Sequence, residues 1–145
     1  MNLHSKTAEL FILDQEPETL ALARTTHLCV AAHQDDVEIM AAQPIIECFQ
    51  QKEKWFSAVV VTDGRGSPRM GLYGQYTDEE MRLVRIKEQK KAAVVGEYGA
   101  QIFLDYPSGS VKDGKNLDVI DDMVTILHAT QPGAVFTHNL ADKHD

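Results

Sequence analysis

From His27 onward the chain alternates short apolar runs with longer segments of helical periodicity. His27 to Ala32 reads as a buried strand. Glu38 to Gln51 follows as a helix with Ile39, Ile45, Ile46 and Phe49 facing inward, and Pro44 marks a kink in it or its true start. Phe56 to Thr62, with three consecutive valines, is a second strand, ended by Asp63-Gly64-Arg65-Gly66. A glycine-rich loop runs to Tyr76. Thr77-Asp78-Glu79-Glu80 then has the form of a capping box, predicting a long helix to about Tyr98 with Met81, Val84, Ala92 and Val95 on its apolar face. Gln101 to Asp105 is a third strand and Tyr106 to Asn116 a loop. Leu117 to His128 is an amphipathic helix with Val119, Ile120, Met123, Ile126 and Leu127 apolar, stopped by Gln131-Pro132-Gly133. Ala134 to Thr137 is the fourth strand.

Strands that alternate with helices predict an α/β fold, a Rossmann-like parallel sheet with helices on both faces. Residues 1–26 form a lead-in, whose Phe11-Ile12-Leu13 and Glu18 to Arg24 would pack on the edge of the domain that spans 27–145. In such sheets the ligand site lies outside the carboxyl ends of the strands. Here each strand ends in polar chemistry: His33, Asp35 and Asp36 after the first, Asp63 after the second, Asp105 after the third, and His138 to Asp145 after the fourth.

Composition narrows the function. The 145 residues suffice for one domain with a sizeable core. A net charge of -8 argues against a partner held by phosphate neutralisation, so no nucleic acid is expected. No apolar run reaches the roughly 20 residues of a membrane span, and the amino terminus does not read as a secretory signal. Cys29 and Cys48 fit no CxxC spacing, and a cytoplasmic, reducing location is the expectation.

Histidine and carboxylate side chains at two strand ends suit one divalent metal site. Asp35 and Asp36 are adjacent and point in different directions from a loop, so one can bind a metal while the other faces what the metal holds. His33 is close enough to join the ligating carboxylate, and His144 is a candidate third ligand or oxyanion stabiliser. Asp142 and Asp145 could orient a ligand imidazole. The plainer reading is a turn capped by Asx hydrogen bonds. Arg85 and Glu88 lie on or beside the apolar face of the long helix, as a surface salt bridge, a brace for the site or a substrate contact. Asp63 reads as closing the Asp-Gly turn.

With these residues the chain resembles the LmbE-like, or PIG-L, family of zinc-dependent N-deacetylases. The segment Ala32-His33-Gln34-Asp35-Asp36-Val37-Glu38 stands where the family has Ala-His-Pro-Asp-Asp-Glu. Thr62-Asp63-Gly64 matches its Thr-Asp-Gly strand end. Arg85, Glu88, Ala92, Ala93 and Gly96 match its Arg-x-x-Glu-x-x-x-Ala-Ala helix ending in Gly. His138-Asn139-Leu140-Ala141-Asp142-Lys143-His144-Asp145 matches its terminal His-x-x-His region. The resemblance covers about residues 27–145. It implies His33 and Asp36 as ligands to Zn2+, Asp35 as general base and His144 as the group that stabilises the tetrahedral intermediate. The third ligand it implies falls two residues beyond Asp145, so the sequence is expected to be a truncated form.

Gln34 replaces the family's proline and Val37 its acid, with Glu38 one place on. Tyr106-Pro107-Ser108-Gly109 stands where Pro-Asp-Gly is usual, which leaves the role of that aspartate open, with Asp105 a candidate substitute. The implied activity is removal of an acetyl group from an N-acetylated amino sugar, a small-molecule substrate, by metal-activated water. The oligomeric state is open, a homo-oligomer included. Two other readings stand beside it: a metal-dependent hydrolase of another bond, such as a phosphoester, with a second metal about 4 Å away, and a non-catalytic sugar- or nucleotide-binding module.

Overall fold

The three valines fall at the centre of the molecule. In a computed structural model that describes residues 1–141, a five-stranded sheet has the order β1-β4-β3-β2-β5. The strands are β1 (Glu9–Phe11), β2 (His27–Ala31), β3 (Phe56–Thr62), β4 (Ala100–Tyr106) and β5 (Ala134–Thr137). The four from β2 to β5 are parallel, and β1 adds an antiparallel edge beside β4. Every residue of β3 and β4 is buried, as expected for parallel strands covered on both faces.

Alternation along the strands splits the core in two. Phe56, Ala58 and Val60 of β3 join Cys29, Ala31 and Phe103 under α2 (Asp36–Met40), α3 (Ala42–Cys48) and α4 (Asp78–Val95). Val59 and Val61 join Leu28, Ile102 and Leu104 on the opposite face, with Leu22 of α1 (Glu18–Ala23) and Ile126 of α6 (Asp118–Thr130). The short α5 (Ser108–Lys112) lies in the segment that reads from sequence as loop.

The helices differ from the sequence expectation in which faces they bury. Pro44 lies in the first turn of α3, so the single predicted helix is two. Val37, Ala41 and Cys48 fill the inner positions, while Ile39 and Ile46 are 78% and 74% exposed and Phe49 is exposed too. On α4 the capping box is present, Thr77 Oγ1 accepting from Glu80 N–H and Glu80 accepting from Thr77 N–H. Its buried face is Met81, Arg82, Ile86, Gln89 and Ala93, which leaves Val95 exposed. On α6 Ile126 is buried but Ile120 and Leu127 are exposed, because the carboxylate of Asp122 occupies an inner position.

That carboxylate is satisfied from two sides. Tyr106 donates its hydroxyl at 2.7 Å, and His4 contributes its backbone N–H at 3.0 Å and Nδ1 at 2.8 Å. The pair ties the amino-terminal segment to α6 and to the end of β4. The Asp122 hydrogen bond raises the His4 pKa above its ordinary 6.5, so the charged ring is favoured in the folded protein. The resulting stabilisation is full below about pH 6.5 and is lost as pH rises through the higher folded value. Thermal melts should therefore show a fall in stability on that upward pH step which His4→Ala removes. Asp122→Ala, which strands the Tyr106 hydroxyl, should cost about 1–3 kcal/mol by denaturant titration.

Candidate metal and catalytic site

The site begins where β2 ends. Ala32 is fixed by both neighbouring strands: its N–H donates to His138 Nε2 at 3.0 Å, just past β5, and its carbonyl accepts from Thr62 N–H at 2.9 Å and Thr62 Oγ1 at 2.8 Å at the end of β3. The chain then turns through His33, Gln34 and Asp35 into α2. Asp35, just before the helix, has φ 75°, in the left-handed region that aspartate tolerates better than most side chains. Its carboxylate makes no cap bond to the helix. It is 65% exposed and receives Arg85 Nη2 at 2.9 Å.

Asp36 folds back over the turn. Its Oδ2 accepts the His33 N–H at 2.9 Å and lies 3.3 Å from His33 Nδ1 and 3.4 Å from His138 Nε2. Tetrahedral zinc with bonds of about 2.0–2.1 Å sets neighbouring ligand atoms about 3.3 Å apart, so His33 and Asp36 fit two positions of such a site. The Ala32 N–H occupies the lone pair of His138 Nε2, so His138 stands beside Asp36 without completing the set. Among the described residues no three His, Cys, Asp or Glu side chains could hold a metal ion.

Arg85 reaches the turn from α4. It donates to Gln34 O at 2.7 Å as well as to Asp35, and to Glu88 at 2.7 Å along its own helix. Burial works against its charge, but the Asp35 and Glu88 carboxylates outweigh it and leave its pKa above the ordinary value. Gly64, at φ 71°, touches both partners of this contact: a Cβ there would lie 2.5 Å from Gln34 Oε1 and 3.1 Å from Arg85 Cβ. The position needs glycine for its conformation and for its space.

The other predicted acids face elsewhere. Asp63 accepts the Arg65 N–H at 3.1 Å, as an Asp-Gly turn requires, and pairs with Arg65 Nη1 at 2.6 Å. Asp105 is buried against Arg82, at 2.8 Å from Nε and 2.5 Å from Nη2. Glu79 joins the two pairs, 2.6 Å from Arg65 and 2.8 Å from Arg82, so five alternating charges brace the ends of β3 and β4. The Asp105 hydrogen bonds hold the Arg82 pKa above its usual value despite burial. Glu38 accepts from Tyr98 Oη at 2.7 Å and Gln89 Nε2 at 2.8 Å, beneath the turn. Asp142, His144 and Asp145 lie outside the described residues.

Sequence reasoning missed Arg82 and Gln89. Their signal is a polar residue interrupting the apolar series Met81, Ile86 and Ala93, which only a buried partner would permit.

A mostly parallel α/β sheet with a His-Asp pair at the carboxyl end of a strand defines a Rossmann-like domain with its polar site at the strand ends. The family model PIG-L, GlcNAc-PI de-N-acetylase, matches residues 28–145, and the chain belongs to that family. A search of curated proteins and a search of solved structures each return no match. Family membership makes a deacetylase-type hydrolase the general class of the protein. Among the described residues no helix is long and apolar enough to cross a membrane.

The two kinds of acid separate by stability. Asp105→Ala leaves a buried guanidinium without its partner and should cost about 3–5 kcal/mol in denaturant unfolding. Glu88→Ala, at an exposed pair, should cost about 0–1 kcal/mol. Equal costs would show that Asp105 is not the buried brace described.

Proposed function

We propose that this protein is a zinc-dependent hydrolase that removes the acetyl group from an N-acetylated amino sugar of the N-acetylglucosamine type. The observation that carries the reading is the Asp36 Oδ2–His33 Nδ1 separation of 3.3 Å at the end of β2, in a chain of this family. His33 and Asp36 would hold the metal, with a further ligand from outside the described residues. Zinc bound there would supply Lewis-acid activation of water and of the amide carbonyl.

The chain's own residues supply the rest. Asp35 is the proton acceptor in this reading, and its exposure lets a water and a substrate amide approach it. Arg85 holds Oδ2 and leaves Oδ1 to take the proton from the attacking water. The proton then passes to the departing amine nitrogen, so acetate and a free amino sugar are the products. His144 stabilises the charge that develops on the carbonyl oxygen. Arg85 and Glu88 support Asp35, while Asp63 and Asp105 brace the strand ends around the site. The buried free thiols Cys29 and Cys48, the first pushed up to about 12 by burial, suit a reducing, cytoplasmic location.

Elemental analysis of the protein that carries this further ligand should find about one zinc per chain, and that protein should release acetate from N-acetylglucosamine conjugates. His33→Ala and Asp36→Ala should each deplete the metal; full zinc in both would remove them as ligands. Asp35→Ala should keep the metal and lose roughly 100- to 10,000-fold in turnover, and retained activity would remove it as the base.

A further inference from the structure

We propose that Gln89 is the positioning residue that sets the backbone of Asp35. Its side chain is buried, at 1% exposure, on α4 one turn beyond Arg85. Its Oε1 accepts the Asp35 N–H at 3.1 Å, and its Nε2 donates to Glu38 Oε1 at 2.8 Å, with Gln101 Oε1 at 3.3 Å. The amide orientation is fixed by its partners, since the peptide N–H can only donate and the carboxylate can only accept. Tyr98 Oη holds the same Glu38 oxygen at 2.7 Å.

Asp35 is therefore gripped twice from one helix. Arg85 takes the carboxylate, and Gln89 takes the peptide group. A left-handed φ at a residue with a side chain costs free energy and persists only where its surroundings over-determine it. The part-buried Gln89 bond supplies that constraint through the Asp35 N–H, leaving the carboxylate to Arg85. Loss of the bond frees the turn to relax toward ordinary φ, which swings the carboxylate relative to His33 and Asp36. The catalytic part of this inference rests on Asp35 as the base.

Gln89→Met keeps the length and removes both hydrogen-bonding ends. Gln89→Glu keeps the length and an acceptor for the Asp35 N–H, and leaves Tyr98 its bond to Glu38. Amide exchange at Asp35, followed by NMR, reads the backbone constraint without reference to activity. Gln89→Met should speed that exchange about tenfold or more. It should lower kcat on an N-acetylglucosamine conjugate roughly 10- to 100-fold with KM within about twofold and zinc content unchanged. Gln89→Glu should keep the Asp35 exchange within about threefold of wild type, since the acceptor for that N–H remains.

Wild-type exchange at Asp35 in Gln89→Met overturns the proposal, as does a kcat that Gln89→Met leaves unchanged. If Gln89→Met does not fold, Gln89→Leu takes its place, since it too removes the acceptor for the Asp35 N–H. A wild-type protein that releases no acetate would defeat the deacetylase reading alone, and the Asp35 exchange rates would still decide the role of Gln89.

Discussion

The peptide unit around Ala32 is the point on which the site depends. A parallel sheet brings its strand ends side by side but does not by itself fix the loops that leave them. Here β5 and β3 each take one polar group of Ala32, through His138 on one side and Thr62 on the other. These bonds hold the start of the turn in register with both strands. From that fixed point a four-residue path suffices to bring the Asp36 carboxylate back onto the His33 N–H. The proposed metal pair is thus made by local chain geometry on a rigid base, with little left for a flexible loop to decide.

Around this turn α4 acts as the second wall. Its helix presents Arg82, Arg85 and Gln89 toward the strand ends and the β2–α2 turn, and each meets a partner of complementary chemistry. Arg82 belongs to the Asp63–Arg65–Glu79–Arg82–Asp105 series that closes the ends of β3 and β4. Arg85 and Gln89 belong to the turn itself. A helix that carries three such residues inward gives up apolar contact on that face, and the sequence shows the cost as a weak periodic signal. In exchange, the helix transmits its position directly to Asp35.

Much of this was legible in the residue pattern, and the reasons differ by element. The four parallel strands were plain because their buried centres read as short apolar runs, whereas the edge strand β1 lies in the lead-in, where the pattern predicts no strand. The opening of α4 was plain because a capping box is local chemistry. Helix faces were harder. Ile39 and Ile46 read as core from hydrophobicity, yet the close approach of α2 and α3 to the sheet is filled by Val37, Ala41 and Cys48. In the site, His33, Asp35 and Asp36 were found from adjacency along the chain. The burial of Asp105 against Arg82 depends on residues 23 apart, and the grip of Gln89 on Asp35 on residues 54 apart. Such pairings follow from topology rather than from spacing.

The crowding at Gly64 bears on how this turn can vary. Its φ admits few side chains, and its α-carbon lies against the buried amide of Gln34 and the stem of Arg85. Gln34 Oε1 and Arg85 Nε are both buried with no hydrogen-bond partner among the described residues. The three positions therefore behave as one volume, in which a change at any of them is felt by the other two. Substitutions there are expected to be non-additive, so that the residue tolerated at 34 depends on who occupies 64 and 85. Sequence drift through this corner would have to proceed by compensating sets, making it one of the slower parts of the protein to remodel.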